Sequence, residues 1–330
     1  MKKPGARLHC AAILGALCAG CGATPSGPAE VPTRAVVSRP SASPDVLRGE
    51  SLLAEGKVAE AKRVFEKALA NDPNDARAWL DLGLSQEATN DWVLAEKAYR
   101  RATALDPNFA EAFNNLGVLL REAGKLTEAT TMLERAVALD PALTAARFNL
   151  ALSYEDLGKH EDAEREYLAT IDRLPDDPIP RINLAMMLLD AGRPEDAAAQ
   201  LRAVRSMILG DVLLSIAVGE GLRRAGLPTE AVPVLQTALR QAPEPPPTEL
   251  LAELALAQYA TGDLDAAEAT MRRAVGQDER DPALQYAYGS ILAKQGQLGK
   301  GRAHLRRAVK LDPDGPYADR ARARLQALKN

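Results

Sequence analysis

The sequence predicts an all-α solenoid built from stacked pairs of short helices, and three observations indicate it. The arrangement of small, bulky and turn residues in Ala110–Leu143 returns every 34 places along the chain. Within that stretch Phe113, Leu116 and Leu120 fall on one helical face, and Gly124 interrupts the pattern where a first helix ends. The repeats follow one another without a strand-like interlude. One such unit cannot bury its own apolar face, whereas stacked copies can.

Residues 1–20 have the features of an export signal peptide. Lys2, Lys3 and Arg7 make the start of the chain basic, and the following apolar run, Ala11–Ala19, is too short to span a bilayer. We therefore expect this segment to be removed from the mature protein.

The end of that segment, Leu17-Cys18-Ala19-Gly20-Cys21, resembles the acylation motif of bacterial lipoproteins. The motif expects Leu where this chain has Cys18, although Leu17 lies one place earlier. The resemblance implies that Cys21 is the lipid attachment site; ordinary signal cleavage near Ala23 is the alternative. The mature chain then has no second cysteine with which Cys21 could form an internal disulfide.

Localisation follows from the same resemblance. Gly22, directly after the cysteine, implies an outer-membrane lipoprotein that faces the periplasm. A soluble periplasmic or secreted protein is the alternative. Residues 21–44 then form a tether, because Gly22–Pro44 has five prolines and four serines and almost no large apolar residue. Fully extended, the tether reaches ~70 Å at ~3.1 Å per residue.

Residues 45–315 contain eight copies of the 34-residue unit. In the second copy a Trp is followed by Leu-Gly, Ala, an aromatic residue, Ala and Pro, at Trp79, Leu82, Gly83, Ala95, Tyr99, Ala102 and Pro107. This pattern resembles the tetratricopeptide repeat family. The resemblance implies a right-handed superhelical solenoid of helix-turn-helix repeats in which the small residues permit close helix packing.

The remaining elements are a possible break and a final helix. Two extra residues enter the repeat frame in the proline-rich run at 243–247. We interpret this run as a longer turn within a continuous stack; a domain boundary is the alternative. Residues 316–330 predict an amphipathic capping helix, with Ala321, Leu325 and Leu328 covering the apolar face that the last repeat leaves open.

Charge is distributed unevenly along the chain. The whole sequence has a net charge of −4, whereas residues 282–330 contain ten Lys and Arg against three Asp, a net charge of +7. Residues 21–281 are therefore strongly acidic. This balance, with a pI of about 5.6, argues against nucleic acid as a partner, because nucleic-acid binding needs a basic footprint.

The sequence offers no catalytic or cofactor motif. His160-Glu161-Asp162-Ala163-Glu164 resembles half of a zinc-protease motif, but Glu164 stands where the second His is required. There is no phosphate-binding glycine loop, nucleophile elbow or Cys pair. We expect a protein that is not an enzyme, with no cofactor, no metal and no small-molecule substrate.

The resemblance to tetratricopeptide repeats also implies a binding groove. In that family the first helices line a concave surface, and the sixth residue of each repeat points into it. Here those places form a polar ladder with a 34-residue step. The predicted groove is lined by the ladder Asp81, Asn115, Asn149 and Asn183 and by the apolar flanks Leu80, Leu84, Val118, Phe148, Leu152, Ile182 and Met186.

The ladder resembles the asparagine ladder of the superhelix attached to O-GlcNAc transferases, where amides hold the backbone of an extended peptide. An amide both donates and accepts hydrogen bonds, so it pairs with a peptide unit whatever the side chain. The alternative is that these amides bridge neighbouring helices. The two-carboxylate clamp of chaperone-binding relatives is not matched, because Ala145 and Asn149 occupy two of its places.

We therefore expect a protein-interaction scaffold at the bacterial cell envelope that binds an extended or helical segment of partner proteins. Two lipoprotein relatives suggest concrete roles, either assisting the assembly of a type IV pilus secretin or gathering cell-wall enzymes. A targeting or regulatory module that recruits a separate enzyme, such as a cell-wall hydrolase, is the alternative from another class.

Overall fold

The computed structural model describes residues 42–328, which form helices joined by short turns and no strand. None of these helices is both long and apolar enough to cross a membrane. In chain order they are α1 (Pro44–Ala54), α2 (Val58–Asn71), α3 (Ala76–Ala88), α4 (Trp92–Leu105), α5 (Ala110–Glu122), α6 (Leu126–Leu139), α7 (Thr144–Asp156), α8 (His160–Arg173), α9 (Pro178–Asp190), α10 (Pro194–Ala203), α11 (Val212–Arg224), α12 (Pro228–Gln241), α13 (Thr248–Thr261), α14 (Leu264–Gln277), α15 (Pro282–Lys294), α16 (Leu298–Leu311) and α17 (Pro316–Ala327).

The prediction of an all-α repeat fold is confirmed: within residues 42–328 eight helix pairs, α1–α16, are followed by α17. The turn inside most pairs contains a glycine in the left-handed region, as at Gly124 with φ +74°. A Cβ there would strain the backbone. The second pair has Asn90 instead, with φ +62°, and asparagine tolerates this conformation better than most non-glycine residues.

Small residues bring the two helices of a pair together. A Cβ placed on Gly117 in α5 would lie 2.6 Å from Leu133 Cγ in α6, so no larger residue fits without movement. Ala129, one turn before Leu133, is fully buried. A glycine inside a helix costs ~1 kcal/mol relative to Ala. The close apolar contact between the two helices, which the missing side chain permits, offsets that cost.

The chain divides into two compact units, whose described parts are residues 42–175 and 176–328. The N-terminal unit contains α1–α8 and buries Phe65, Tyr99 and Leu120. Within it, α1 contacts α3 and α5 contacts α7, so first helices of successive pairs lie side by side.

The C-terminal unit contains α9–α17. Its first pair is irregular, because α10 has 10 residues where most second helices have 14. The turn after α10 still covers the core through buried Val204 and Ile208. Across the proline-rich run, α12 packs directly against α13 in this same unit.

The final helix, α17, packs against α16. Ala321 is fully buried, and Leu325 and Leu328 pack beside it on a cluster that includes Leu305. These are the residues that the sequence pattern places on the inner face of a cap.

Candidate peptide-binding groove

A cavity of about 460 Å³ lies on the first-helix face of the N-terminal unit. Helices α1, α3 and α5 and the turns before α5 and α7 line it. Four residues of the predicted groove are in this lining, namely Leu80, Asp81, Leu84 and Asn115. Glu50, Leu53, Arg77, Phe109, Glu111, Asn114 and Leu143 complete it. We call this cavity the N-terminal groove.

The amides near this groove form a hydrogen-bonded chain. Asn149 in α7 donates from Nδ2 to Asn114 Oδ1 in α5 at 2.9 Å, and Asn114 Nδ2 donates to Asn115 Oδ1 at 3.0 Å. Asn114 is largely buried, with 9% of its surface exposed. The predicted ladder residues Asn115 and Asn149 are thus joined through a third amide, Asn114, and the three together are the amide chain below.

The 34-residue frame alone does not identify Asn114. It occupies the fifth place of its repeat, where Leu80 and Phe148 stand in the neighbouring repeats. The available signal is the Asn114-Asn115 pair, since two adjacent amides on a helix point one toward the neighbouring helix and one toward solvent.

A charged pair, Arg77 and Glu50, is part of the lining of the N-terminal groove. Arg77 donates from Nε and Nη2 to the two carboxylate oxygens of Glu50, at 2.7 and 2.8 Å. The pair joins α1 to α3, and the Arg77 side chain is only 13% exposed. Such a two-point contact fixes the position of both side chains beside the cavity.

The apolar flanks differ in how much surface they offer. Leu84 is 37% exposed, whereas Leu80 and Asp81 are largely buried, at 5% and 7%. Val118 and Leu152 are half-buried. Phe148 is also half-buried, and its ring lies 6.0 Å from the ring of Tyr167, so part of it belongs to the core. Leu84, Val118 and Leu152 are therefore the flanks most available to a ligand.

Three predicted site residues belong to the C-terminal unit. Asn183 donates to the carbonyl oxygen of Ile179 in its own helix at 3.0 Å. Ile182 is fully buried, so it is a core residue and offers no surface to a ligand. Met186 is half-buried, and its sulfur lies 3.5 Å from where a Cβ on Gly221 would stand. Counting to the sixth residue of the fifth repeat therefore finds Asn183, but it does not predict that the side chain bonds within its own helix.

The repeat aromatics are tied into the core by acidic partners. Tyr99 donates to Glu87 Oε2 at 2.7 Å, and Tyr167 donates to Glu155 Oε2 at the same distance. Each bond links the second helix of a pair to the first. Burial raises the pKa of both tyrosines and of Glu87, because it disfavours their charged forms.

Two histidines, His160 and His304, lie within residues 42–328. His160 is the first residue of α8. His304 Nδ1 lies 2.7 Å from Gln285 Oε1, and its ring lies 4.5 Å from the Tyr288 ring. Burial first and Arg307 second lower the pKa of His304. Across residues 42–328 no three His, Cys, Asp or Glu side chains group as metal ligands would.

Comparison with known proteins extends these observations. The tetratricopeptide repeat profile matches residues 46–108, 90–144, 114–178, 148–207, 182–246, 216–282 and 252–316. No curated protein sequence matches the chain significantly.

Several solved structures share the fold. One is the anaphase-promoting complex heterotetramer Cut9–Hcn1. The match to it has a TM-score of 0.55 at 18% identity and covers 87% of this chain and 55% of that chain. For PilW, a type IV pilus biogenesis factor, the TM-score is 0.57 at 20% identity, and the match covers 62% of this chain and 94% of PilW. For a tetratricopeptide repeat protein from Parabacteroides merdae, the TM-score is 0.57 at 17% sequence identity, and the match covers 77% of this chain and 99% of that chain.

These likenesses concern the fold alone, and this chain spans about half the length of the first of them. The family assignment rests on the repeat profile, whose matches run without a gap from residue 46 to residue 316, and on helix pairs that recur in the same frame. The chain belongs to the tetratricopeptide repeat family, whose members are in general non-catalytic scaffolds that bind other proteins.

Proposed function

We propose that this chain is a protein-recruiting scaffold whose N-terminal groove binds an extended or helical segment of a partner. The observation that supports the proposal is the amide chain beside that cavity. Its internal bonds leave the nitrogen of Asn115 at one end and the oxygen of Asn149 at the other without a hydrogen-bond partner among the described residues.

A peptide unit presents one acceptor and one donor, and the two ends of the amide chain present the complementary groups. The hydrogen bonds through Asn114 hold both ends in place before a ligand arrives, which lowers the entropic cost of binding. Bridging between helices and binding of a backbone are therefore compatible roles, carried out by different atoms of the same three side chains.

The proposal is tested by selecting random dodecapeptides on the full chain and measuring the affinity of those that map to the N-terminal unit. Asn115→Ala removes one end of the amide chain, at a net ~0.5 to 1.5 kcal/mol per hydrogen bond. We expect Asn115→Ala and Asn149→Ala each to weaken binding about two- to tenfold. Asn183→Ala is the matched control, because it has the same place in its repeat but bonds to its own helix. Full affinity in the Asn115→Ala/Asn149→Ala double variant would refute the groove.

At the level of the cell, we propose that the scaffold works at the bacterial envelope as a lipoprotein anchored through Cys21. The proposal rests on the sequence of residues 1–44, of which residues 1–41 lie outside the part of the chain that the structure describes. Several acyl chains on one cysteine, at ~0.8 kcal/mol per buried CH₂, give effectively permanent attachment. Cys21→Ser should move the protein from the membrane fraction to the soluble fraction; a wild-type protein that is already soluble and unmodified would overturn the anchor.

Two partner classes fit an envelope scaffold, a type IV pilus secretin and a cell-wall hydrolase. PilW is described as a type IV pilus biogenesis factor, and assistance to secretin assembly is our first candidate for this chain. Recruitment of a hydrolase is the second. Purification from detergent-solubilised membranes separates them, because each partner class is identified directly by mass spectrometry and should be lost in the Asn115→Ala/Asn149→Ala double variant.

A further inference from the structure

The C-terminal unit has a cleft of its own, of about 470 Å³. Helices α11, α13, α15 and α17 line it, so the final helix forms one wall. Its floor consists of small and branched apolar side chains with three tyrosines. The residues concerned are Ala252, Leu256, Ala283, Ala287, Ile291, Tyr259, Tyr286 and Tyr317. We call this space the C-terminal cleft.

The α17 wall of the cleft carries two unpaired cations. Arg320 and Arg324 lie one turn apart on the same face, and neither has an ion-pair or hydrogen-bond partner for its guanidinium among residues 42–328. Arg324 Nε is also buried without a hydrogen-bond partner. The Arg320 guanidinium carbon lies 5.6 Å from the centre of the Tyr317 ring, a cation–π distance.

The acidic groups around the cleft are already engaged or lie at its rim. Glu253 accepts from Arg223 Nε at 3.0 Å, and Glu220 lies 3.7 Å from Arg224. Asp281 accepts from the backbone amides of Ala283 and Leu284, capping α15. Glu249 is exposed near the start of α13. Arg320 and Arg324 therefore face an apolar floor with no carboxylate in pairing distance.

The tyrosines make the floor suited to a bulky side chain. The rings of Tyr286 and Tyr317 lie 5.8 Å apart, joining α15 to α17. Both are half-buried and both line the cleft, so each offers part of its surface there. Apolar and aromatic walls lower the local dielectric, and a charge-assisted hydrogen bond between a guanidinium and a carboxylate is stronger there than in open water.

We propose that the C-terminal cleft binds an acidic segment of a partner protein, one in which an aspartate or glutamate lies within a few residues of a bulky apolar side chain. The carboxylate pairs with Arg320 and Arg324, and the apolar side chain packs on Tyr286, Tyr317 and Ile291. This site is separate from the N-terminal groove, because every residue that lines it belongs to the C-terminal unit.

The test uses a phage library of random dodecapeptides selected on the full chain, followed by affinity measurement of the enriched peptides. We expect a class of peptides in which Asp or Glu lies within four places of Leu, Ile, Phe, Tyr or Trp. Arg320→Gln/Arg324→Gln should weaken that class at least about tenfold. Arg320→Lys/Arg324→Lys should restore part of the affinity, because charge is retained while the two-point geometry is lost.

Arg306→Gln is the matched control, because Arg306 is an exposed arginine of α16 outside the cleft. It should leave binding unchanged. Replacement of the acidic residue in an enriched peptide by its amide should weaken binding to wild type and have little further effect on Arg320→Gln/Arg324→Gln. An absence of acidic peptides among those enriched would overturn the proposal, as would equal binding by the wild type and the double glutamine variant. Asn115→Ala/Asn149→Ala should bind this class normally, so failure of the N-terminal groove is distinguishable.

Discussion

The N-terminal groove and the C-terminal cleft are built on the same helix-pair repeat, yet they present different chemistry. In the N-terminal unit, uncharged amides on α5 and α7 are joined to one another and end in one free donor and one free acceptor. In the C-terminal unit, tyrosines and two unpaired arginines surround an apolar floor. Backbone atoms are present in every peptide, whereas carboxylates are not. The first site is therefore suited to broad recognition and the second to selection by sequence.

The largest effect is expected when a fully buried small residue is enlarged. Ala129→Leu in α6 and its matched change Ala267→Leu in α14 replace residues with no exposed surface at the same place of two repeats. Each should destabilise its own unit by ~1 to 3 kcal/mol through overpacking. Hydrogen exchange should show the loss mainly in adjacent helix pairs. Equal loosening of all the repeats by either change would contradict the local picture.

A second prediction concerns the charged pair inside the C-terminal unit. Arg223→Gln leaves Glu253 without its partner, although its side chain is only 17% exposed, and should lower the free energy of unfolding at neutral pH by ~1 to 3 kcal/mol. Thermal unfolding measures this. Arg202→Gln is the control, because that arginine pairs with Glu230 on the surface and exposed pairs contribute little.

The pH dependence of that variant has a definite sign. Burial raises the pKa of Glu253 even with Arg223 present, so the folded state binds a proton more tightly than the unfolded state. Stability therefore falls as pH rises from the ordinary carboxyl range through the folded pKa. Without Arg223 the pKa should rise further and the fall should be larger. A flat difference between wild type and Arg223→Gln from acid to neutral pH would contradict this account.

A third prediction separates the middle of the amide chain from its end. Asn114→Ala leaves the amides of Asn115 and Asn149 without their partner and should destabilise the N-terminal unit by ~1 to 3 kcal/mol. Asn115→Ala removes the acceptor of Asn114 Nδ2 at a half-buried position that water can reach, and should cost less, about 0.5 to 1 kcal/mol. Thermal unfolding of both variants measures the two losses of stability. Equal destabilisation would mean that both amides serve structure alone.

The smallest effect is expected at Glu87. Burial raises its pKa, so its charged form is disfavoured in the fold. Glu87→Gln keeps an acceptor for Tyr99 and removes that charge, and should change stability by no more than ~0.5 kcal/mol at neutral pH. Tyr99→Phe, which leaves the carboxylate unpaired, should cost more. Equal losses in the two variants would show that the charge itself is required.

The sequence predicts the fold in detail because the repeat period imposes the same packing on every pair. Gly117 and Ala129 are small where helices meet, and Gly124 has the positive φ that ends a first helix. The frame also places Leu80, Asp81, Leu84 and Asn115 on one cavity. A periodic contact requires a periodic residue, which is visible in one sequence.

The features that the period does not predict are those that differ from one repeat to the next. Asn114 occupies a place that is apolar in the neighbouring repeats, and its role depends on the amide of Asn149 in another helix. Ile182 follows the frame of the groove but is fully buried in the irregular fifth pair. The C-terminal cleft needs Arg320 and Arg324 on α17, which lies outside the repeat frame altogether.

The two proposed sites differ in chemistry and lie in different units, and a crossed affinity measurement tests that difference most directly. One enriched peptide of each class is titrated against wild type, Asn115→Ala/Asn149→Ala and Arg320→Gln/Arg324→Gln. We predict that the amide variant weakens only the peptide without an acidic requirement, at least about fivefold, and that the arginine variant weakens only the acidic peptide, at least about tenfold. A single variant that weakens both peptides, or neither variant weakening its own, would contradict the claim.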